Sequence, residues 1–324
     1  MLDIDIVKQI KKLVGSDFYY KIENDKCIEI SLNNPNYIYQ GLIRNHTYRD
    51  KQNIISLISK LKNLKKLDLR RNKLNNFPTS MGNLTNLTFL DIGSNYLKEI
   101  PDFIGNFKKL EYLNISVNEL TKCPNLFYKI PNIRRLSLHK NKFHNLNDSI
   151  QTLEKLESLN LYGLFLKEFP NYIYNLSNLN NLVLSAVQNI SQDISKLQKL
   201  EYFTNNIAVK LTMLPDSFCE LKNLKMIRLY QNSLSSLPTN FGNLENLEQL
   251  SLYQNKLKVL PKSFSKLKKL KKLNLSWNNF EEFPKEILEL KSLDWFGYFN
   301  NNSKIPDLSY IPEVVIDRVH EKNI

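Results

Sequence analysis

LYQNSLSSLP runs from Leu229 to Pro238, and LYQNKLKVLP runs from Leu252 to Pro261, 23 residues further on. Outward from this pair the same period continues. Asn232, Asn255, Asn278 and Asn301 are 23 residues apart, and so are Asn72, Asn95, Asn118 and Asn141. Around each Asn the apolar residues recur in one frame, as in LKKLDLRRNKLNNFP from Leu64 and LKKLNLSWNNFEEFP from Leu270. The LxL core of the frame alternates apolar and polar residues, which predicts a short half-buried strand. One such unit cannot bury its Leu face alone, so successive units must stack and build a parallel sheet. The Asn falls where the strand turns, and its amide can serve two backbone donors or acceptors left by that turn. A Pro then fixes φ where the chain leaves the strand side. Segments such as TSMGNLTN and TNFGNLEN are expected to cross the opposite side as a helical or 3₁₀ turn.

The frame LxxLxLxxNxLxxLPxxxxxLxx resembles the leucine-rich repeat. Its 23-residue, Pro-containing form is similar to that of bacterial leucine-rich repeat proteins and of the intracellular Ras-group-related repeat proteins. The resemblance implies an α/β solenoid: a curved horseshoe with a parallel β-sheet on its concave face and short helical or 3₁₀ turns on its convex face. About ten to eleven units cover residues 64–308. Residues 1–63 then form an N-terminal cap and residues 309–324 a C-terminal cap or tail. In the first cap, MLDIDIVKQIKKLVG places Ile6, Ile10, Leu13 and Val14 at helical spacing. KCIEISLNN is expected to be a strand joining the sheet, DKQNIISLISKLKN a helix, and the segment between them largely loop. The C-terminal IPDLSYIPEVVIDRVHEKNI is expected to close the stack with one apolar strand or turn.

Three consecutive units break the frame. Leu164, Val187 and Ala208 stand at or near the Asn position, and the unit at Leu179 lacks the Pro. Loss of the Asn with the fold retained, or a local change of curvature, would each account for this.

Composition narrows the function. Lys and Arg number 45 against 32 Asp and Glu, a formal net charge of +13, which favours acidic proteins, nucleic acid or anionic surfaces as partners. Cys27, Cys123 and Cys219 are widely separated and suggest neither a disulfide framework nor a metal site; a reducing, cytoplasmic compartment is expected. The N-terminus lacks the apolar run of a signal peptide, and no stretch is apolar enough to span a membrane. No phosphate-cradling glycine loop is present. His46, His139, His144 and His320 have no metal-ligand spacing, and His139 and His144 are expected to be solvated. No nucleophile can be placed beside a base. The expectation is a protein without cofactor, metal or catalytic residues.

What remains is the sheet face. Residues flanking the buried Leu of each strand point away from the core. In the early units these include Lys66, Asp68, Arg70, Phe89, Asp91, Tyr112, Asn114, Arg135 and His139. In the later units the candidate partner-binding residues are Arg228, Tyr230, Gln231, Tyr253, Gln254, Lys256, Trp277, Trp295 and Phe299. Tyr230, Tyr253, Ser276 and Phe299 share one frame position, and Trp277 stands one place on, where it could lean over Ser276 into an exposed aromatic row. Aromatics beside adaptable amides are the side chains that dominate protein interfaces. The expected partner is therefore a protein or peptide on the concave face. The alternative is nucleic acid or another acidic polymer, for which basic residues interleaved with aromatics would be needed. Lys256, Lys258, Lys262, Lys266, Lys268, Lys269, Lys271 and Lys272 crowd together, but the frame puts most of them away from the sheet face.

Overall fold

The computed structural model describes residues 2–15, 18–33, 41–164, 166, 169–206 and 211–315. The chain divides into two compact units, Met1–Leu164 and Phe165–Ile324.

The first unit opens with helix α1 (Asp3–Val14), which buries Ile6, Val7 and Ile10. Leu13 shares their periodicity but is 45% exposed. The helix is in its last turn there: Gly15, at φ 98°, ends it, and His46 Nε2 lies 3.0 Å from the Leu13 carbonyl. Next comes a hairpin absent from the sequence reading. Strand β1 (Tyr19–Glu23) pairs antiparallel with β2 (Lys26–Ser31). Asn24 and Asp25 join them at φ 46° and 59°. A two-residue turn with both φ values positive matches the twist of a hairpin, and Asn and Asp tolerate it best after Gly. Helix α2 (Tyr48–Ile58) starts on Thr47, whose Oγ1 accepts a hydrogen bond from the Asp50 amide at 3.2 Å. It caps an otherwise unpaired donor of the first turn.

β2 then pairs in parallel with the first repeat strand, as expected. The repeat strands of this unit are β3 (Lys66–Asp68), β4 (Phe89–Asp91), β5 (Tyr112–Asn114), β6 (Arg135–Ser137) and β7 (Ser158–Asn160). Each is three residues long with its central Leu buried. The second unit holds β8 (Asn181–Ser185), β9 (Tyr202–Asn206), β10 (Met226–Arg228), β11 (Gln249–Ser251), β12 (Lys272–Asn274), β13 (Trp295–Gly297) and β14 (Glu313–Val315). Each pairs in parallel with the next, and β14 is the closing strand expected of the C-terminal cap. Registers are in step with the repeat, so Met226, Gln249, Lys272 and Trp295 stand side by side.

Between strands the chain crosses the core in 3₁₀ turns. Several start directly after a Pro held in extended conformation, as at Pro78, Pro101, Pro215, Pro261 and Pro284. Proline supplies the φ and needs no donor, so it begins such a turn without loss. Phe218, Phe241 and Phe264 fill the core behind these turns and are fully buried.

The frame Asn residues tie neighbouring units together. Asn255 Oδ1 accepts from the Leu234 amide at 3.0 Å, while its Nδ2 donates to the Leu229 and Leu252 carbonyls at 2.8 and 3.0 Å. Asn95, Asn118, Asn141, Asn278 and Asn301 repeat the arrangement. Asn72 uses its Oδ1 to hold the Ile43 amide of the cap at 2.9 Å. Asn232 donates to the Asn205 and Leu229 carbonyls. The residue before each Asn adopts positive φ, as at Arg71, Ser94, Val117, Lys140, Gln231, Gln254, Trp277 and Asn300. The turn continues where the Asn is lost. Gly163 and Ala186 keep the positive φ, and Leu164 and Val187 are buried in place of the amide. In compensation β8 and β9 run five residues instead of three. Asn205, three positions before the usual site, accepts from the Val187 amide at 3.2 Å and donates to its carbonyl at 2.9 Å. Ala208 lies outside the described residues.

Candidate binding face

In the second unit the sheet face is set by four strands, β10 to β13, in one register. Arg228, Ser251, Asn274 and Gly297 form one row across it. Two residues on, at the strand ends, come Tyr230, Tyr253, Ser276 and Phe299. These ends are rigidly placed: the amides of Gln231, Gln254 and Trp277 each donate to the carbonyl of the next unit at 2.9 Å.

Trp277 does lean over its small neighbour. Its ring meets Phe299 edge-on, with centroids 6.4 Å apart and planes at 84°. Tyr253 approaches the same Phe299 ring at 6.4 Å and 48°. The three rings close over Ser276, which is fully buried. The aromatic row thus becomes a cluster, and one expectation is corrected: Phe299, taken as an exposed contact, is only 4% exposed. Its ring is covered by Tyr253 and Trp277, so it supports them from beneath. Tyr230, Gln231, Tyr253, Trp277 and Trp295 are half-buried, and Gln254 and Lys256 are exposed. Trp295 lies flat on the sheet because Gly297 makes room for it. A Cβ at Gly297 would come within 2.6 Å of the indole ring. Gly297 was not singled out from the sequence. Its signal is size, since it is a small residue where the neighbouring unit carries Asn274.

Arg228 is half-buried on this face, and its Nε is buried with no hydrogen-bond partner. The residues paired beside it, Thr204 and Ser251, are neutral. The lysine group splits as the frame implied. Lys268 reaches the Glu289 carbonyl, Lys269 the Asn246 amide oxygen, and Lys271 pairs with Glu248 at 3.0 Å.

The sheet face of the first unit carries several paired charges. Lys66 pairs with Glu29 at 2.8 Å, and Arg70 bridges Asp68 at 2.8 Å and Asp91 at 3.3 Å. Asp91 is 1% exposed and also accepts from the Gly93 amide and the Asn114 side chain. Burial nonetheless pushes its carboxyl up to about 6, against the pull of Arg70. Phe89 stacks on Tyr112 at 4.2 Å. His139, expected to be solvated, is half-buried: its Nδ1 lies 2.7 Å from Ser137 Oγ, and burial lowers its basicity. His144 is exposed.

Burial also raises the three thiols, Cys27 to about 12 and Cys123 and Cys219 to about 11, so each stays protonated. Among the described residues no group of His, Cys, Asp and Glu could hold a metal ion. No helix among them is long and apolar enough to cross a membrane.

Strands, 3₁₀ turns and the Asn rungs between them define a leucine-rich repeat solenoid, and the comparisons agree. Leucine-rich repeat profiles match residues 63–84, 85–143 and 213–309. A leucine-rich repeat protein of Leptospira interrogans is 30% identical, with a TM-score of 0.68 over 81% of this chain and 74% of that one. The chain belongs to the leucine-rich repeat family. The same fold is found in an internalin (InlF) from Listeria monocytogenes, at 19% identity and TM-score 0.73, over 98% of this chain and 89% of that one. It is also found in the Arabidopsis receptor kinase HAESA, solved in complex with the peptide hormone IDA and the co-receptor SERK1. That match has 23% identity and TM-score 0.72 over 96% of this chain and 65% of that one. Among curated protein sequences none matches the chain.

Proposed function

We propose that the chain is a protein-interaction module that offers the sheet face of its second unit, from Met226 to Phe299, to a protein or peptide partner. The leucine-rich repeat is a general protein-interaction fold. The observation that carries the choice of face is the cluster of Tyr253 and Trp277 on Phe299. These are large, half-exposed rings fixed on a rigid sheet, with Tyr230, Gln231, Gln254 and Trp295 around them. Rings already held in place lose little freedom on binding, and such anchors dominate interface energies. A solenoid of this fold in complex with a peptide, as in the HAESA structure, is in keeping with that use. The reading includes no catalytic role. It also places the protein in the cytoplasm, where thiols such as Cys27, Cys123 and Cys219 stay reduced.

The test is a cross-linking pull-down from the lysate of the source cell, comparing wild type with a Tyr230→Ala, Tyr253→Ala, Trp277→Ala variant. Circular dichroism should first establish that the variant is folded. A protein captured by wild type and lost with the variant supports the reading. Equal capture by both would reduce the cluster to packing. Recovery of nucleic acid that moderate salt releases would overturn the reading in favour of phosphate binding.

A further inference from the structure

Among charged side chains on the sheet faces, Arg228 stands apart. Arg70, on the sheet face of the first unit, has carboxylates on both sides. Arg228 has no ion pair or hydrogen bond among the described residues, and its Nε is buried. The groups around it are neutral: Thr204, Asn206, Met226, Tyr230, Gln249 and Ser251. Asn206 Oδ1 is itself buried and without a partner. Lys256 and Lys272, among the described residues of this stretch, are also positive, and Glu248 is paired with Lys271. A guanidinium that has lost part of its water and gained no counter-charge is held at a cost, and a buried polar group left unmatched asks for a reason.

We propose that Arg228 receives a carboxylate of the peptide partner, while an aromatic or large apolar residue of the same peptide packs on Tyr253 and Trp277. This deepens the binding reading above and rests on it. The planar guanidinium presents two parallel N–H donors that fit the two oxygens of a carboxylate. The aromatic platform lies at the ends of the strands that continue from Arg228's row, one and two units along. A peptide lying across the strands can therefore reach both. The positive face gives such an acidic segment its orientation and favours its approach.

The experiment is selection of a displayed random-peptide library, with amidated and free C-termini in separate arms, on the full chain. Parallel selections use Arg228→Gln, Arg228→Glu and the Tyr253→Ala, Trp277→Ala double variant. Wild type should enrich peptides that carry Asp, Glu or a free C-terminal carboxylate near an aromatic residue, and the two arms tell those sources apart. Their affinity should fall roughly tenfold or more with Arg228→Gln, the loss of a charge-assisted bidentate pair. Arg228→Lys should recover only part of it. Arg228→Glu should instead enrich peptides with Lys or Arg at the same place, an exchange that a purely structural Arg228 would not produce. If selected peptides depend on Tyr253 and Trp277 but show no acidic enrichment, the carboxylate assignment fails and the binding reading survives. If no peptide depends on any of these side chains, both fail. If inorganic phosphate displaces the peptides at lower concentration than acetate does, the site is a phosphate site and the proposal is overturned.

Discussion

Asp91 shows how a residue's behaviour depends on its neighbours one repeat away. Along the chain it is an ordinary sheet-face carboxylate. In the structure it is almost wholly buried between Arg70, Tyr112 and Asn114, and burial raises it from 3.8 to about 6. An acid whose folded value lies above its unfolded one holds more protons when folded across that interval. Its contribution to stability is complete below the lower value and is lost as pH rises through the upper one. The stability of wild type relative to Asp91→Asn should therefore fall between pH about 4 and about 6, by up to about 3 kcal/mol, and then level off. Urea denaturation at stepped pH measures the difference, and a curve that stays flat across the window would refute the assignment. That Asp68, Arg70 and Asp91 stand near one another was legible from the frame. How deeply Asp91 sinks was not, because neighbouring side chains decide it.

At the scale of elements, helix α1 gives a sharp contrast. Ile10 is fully buried, while Leu13, equally apolar and on the same periodic face, is 45% exposed. Ile10→Ala should cost about 2–5 kcal/mol through lost burial and a cavity, whereas Leu13→Ala should cost well under 1 kcal/mol. Chemical denaturation of the two variants checks this, and equal losses would mean that the helix packs on another face. Periodicity located the helix but not where its cover over the core ends. The β1–β2 hairpin was missed for a related reason. Tyr19–Glu23 has no long alternation, and its signal is the Asn24-Asp25 turn, which becomes decisive only once β2 is there to pair with.

At the scale of the whole molecule, a repeat stack holds together by contacts between successive units, so damage should remain local. Asn255 fastens the turn of the unit before it to its own. Asn255→Ala would leave the Leu234 amide unmatched and take one of two donors from each of the Leu229 and Leu252 carbonyls, which keep Asn232 and Asn278, a loss of about 1–3 kcal/mol. Hydrogen exchange should show reduced protection greatest in β10 to β12 and fading toward β8. Uniform loss across the second unit would instead indicate one cooperative block. The same logic explains why Leu164 and Val187 are tolerated. A missing rung costs only its own neighbours, and longer strands with Asn205 make part of it good.

The sequence by itself determined the repeat, the parallel strands, their register, the Asn rungs and the Pro-initiated turns. Each of these needs only a local pattern recurring every 23 residues. It also located the face that carries Arg228, Tyr253 and Trp277. Tertiary structure alone decided that Phe299 is the base of the aromatic cluster, that Asn205 replaces a lost rung, that Asp91 is buried and that Arg228 has no counter-charge among the described residues. These outcomes depend on which side chains meet across strands 23 or 46 residues apart, and on how much room a Ser276 or a Gly297 leaves between them. Such meetings are properties of packing, and no single stretch of the chain contains them.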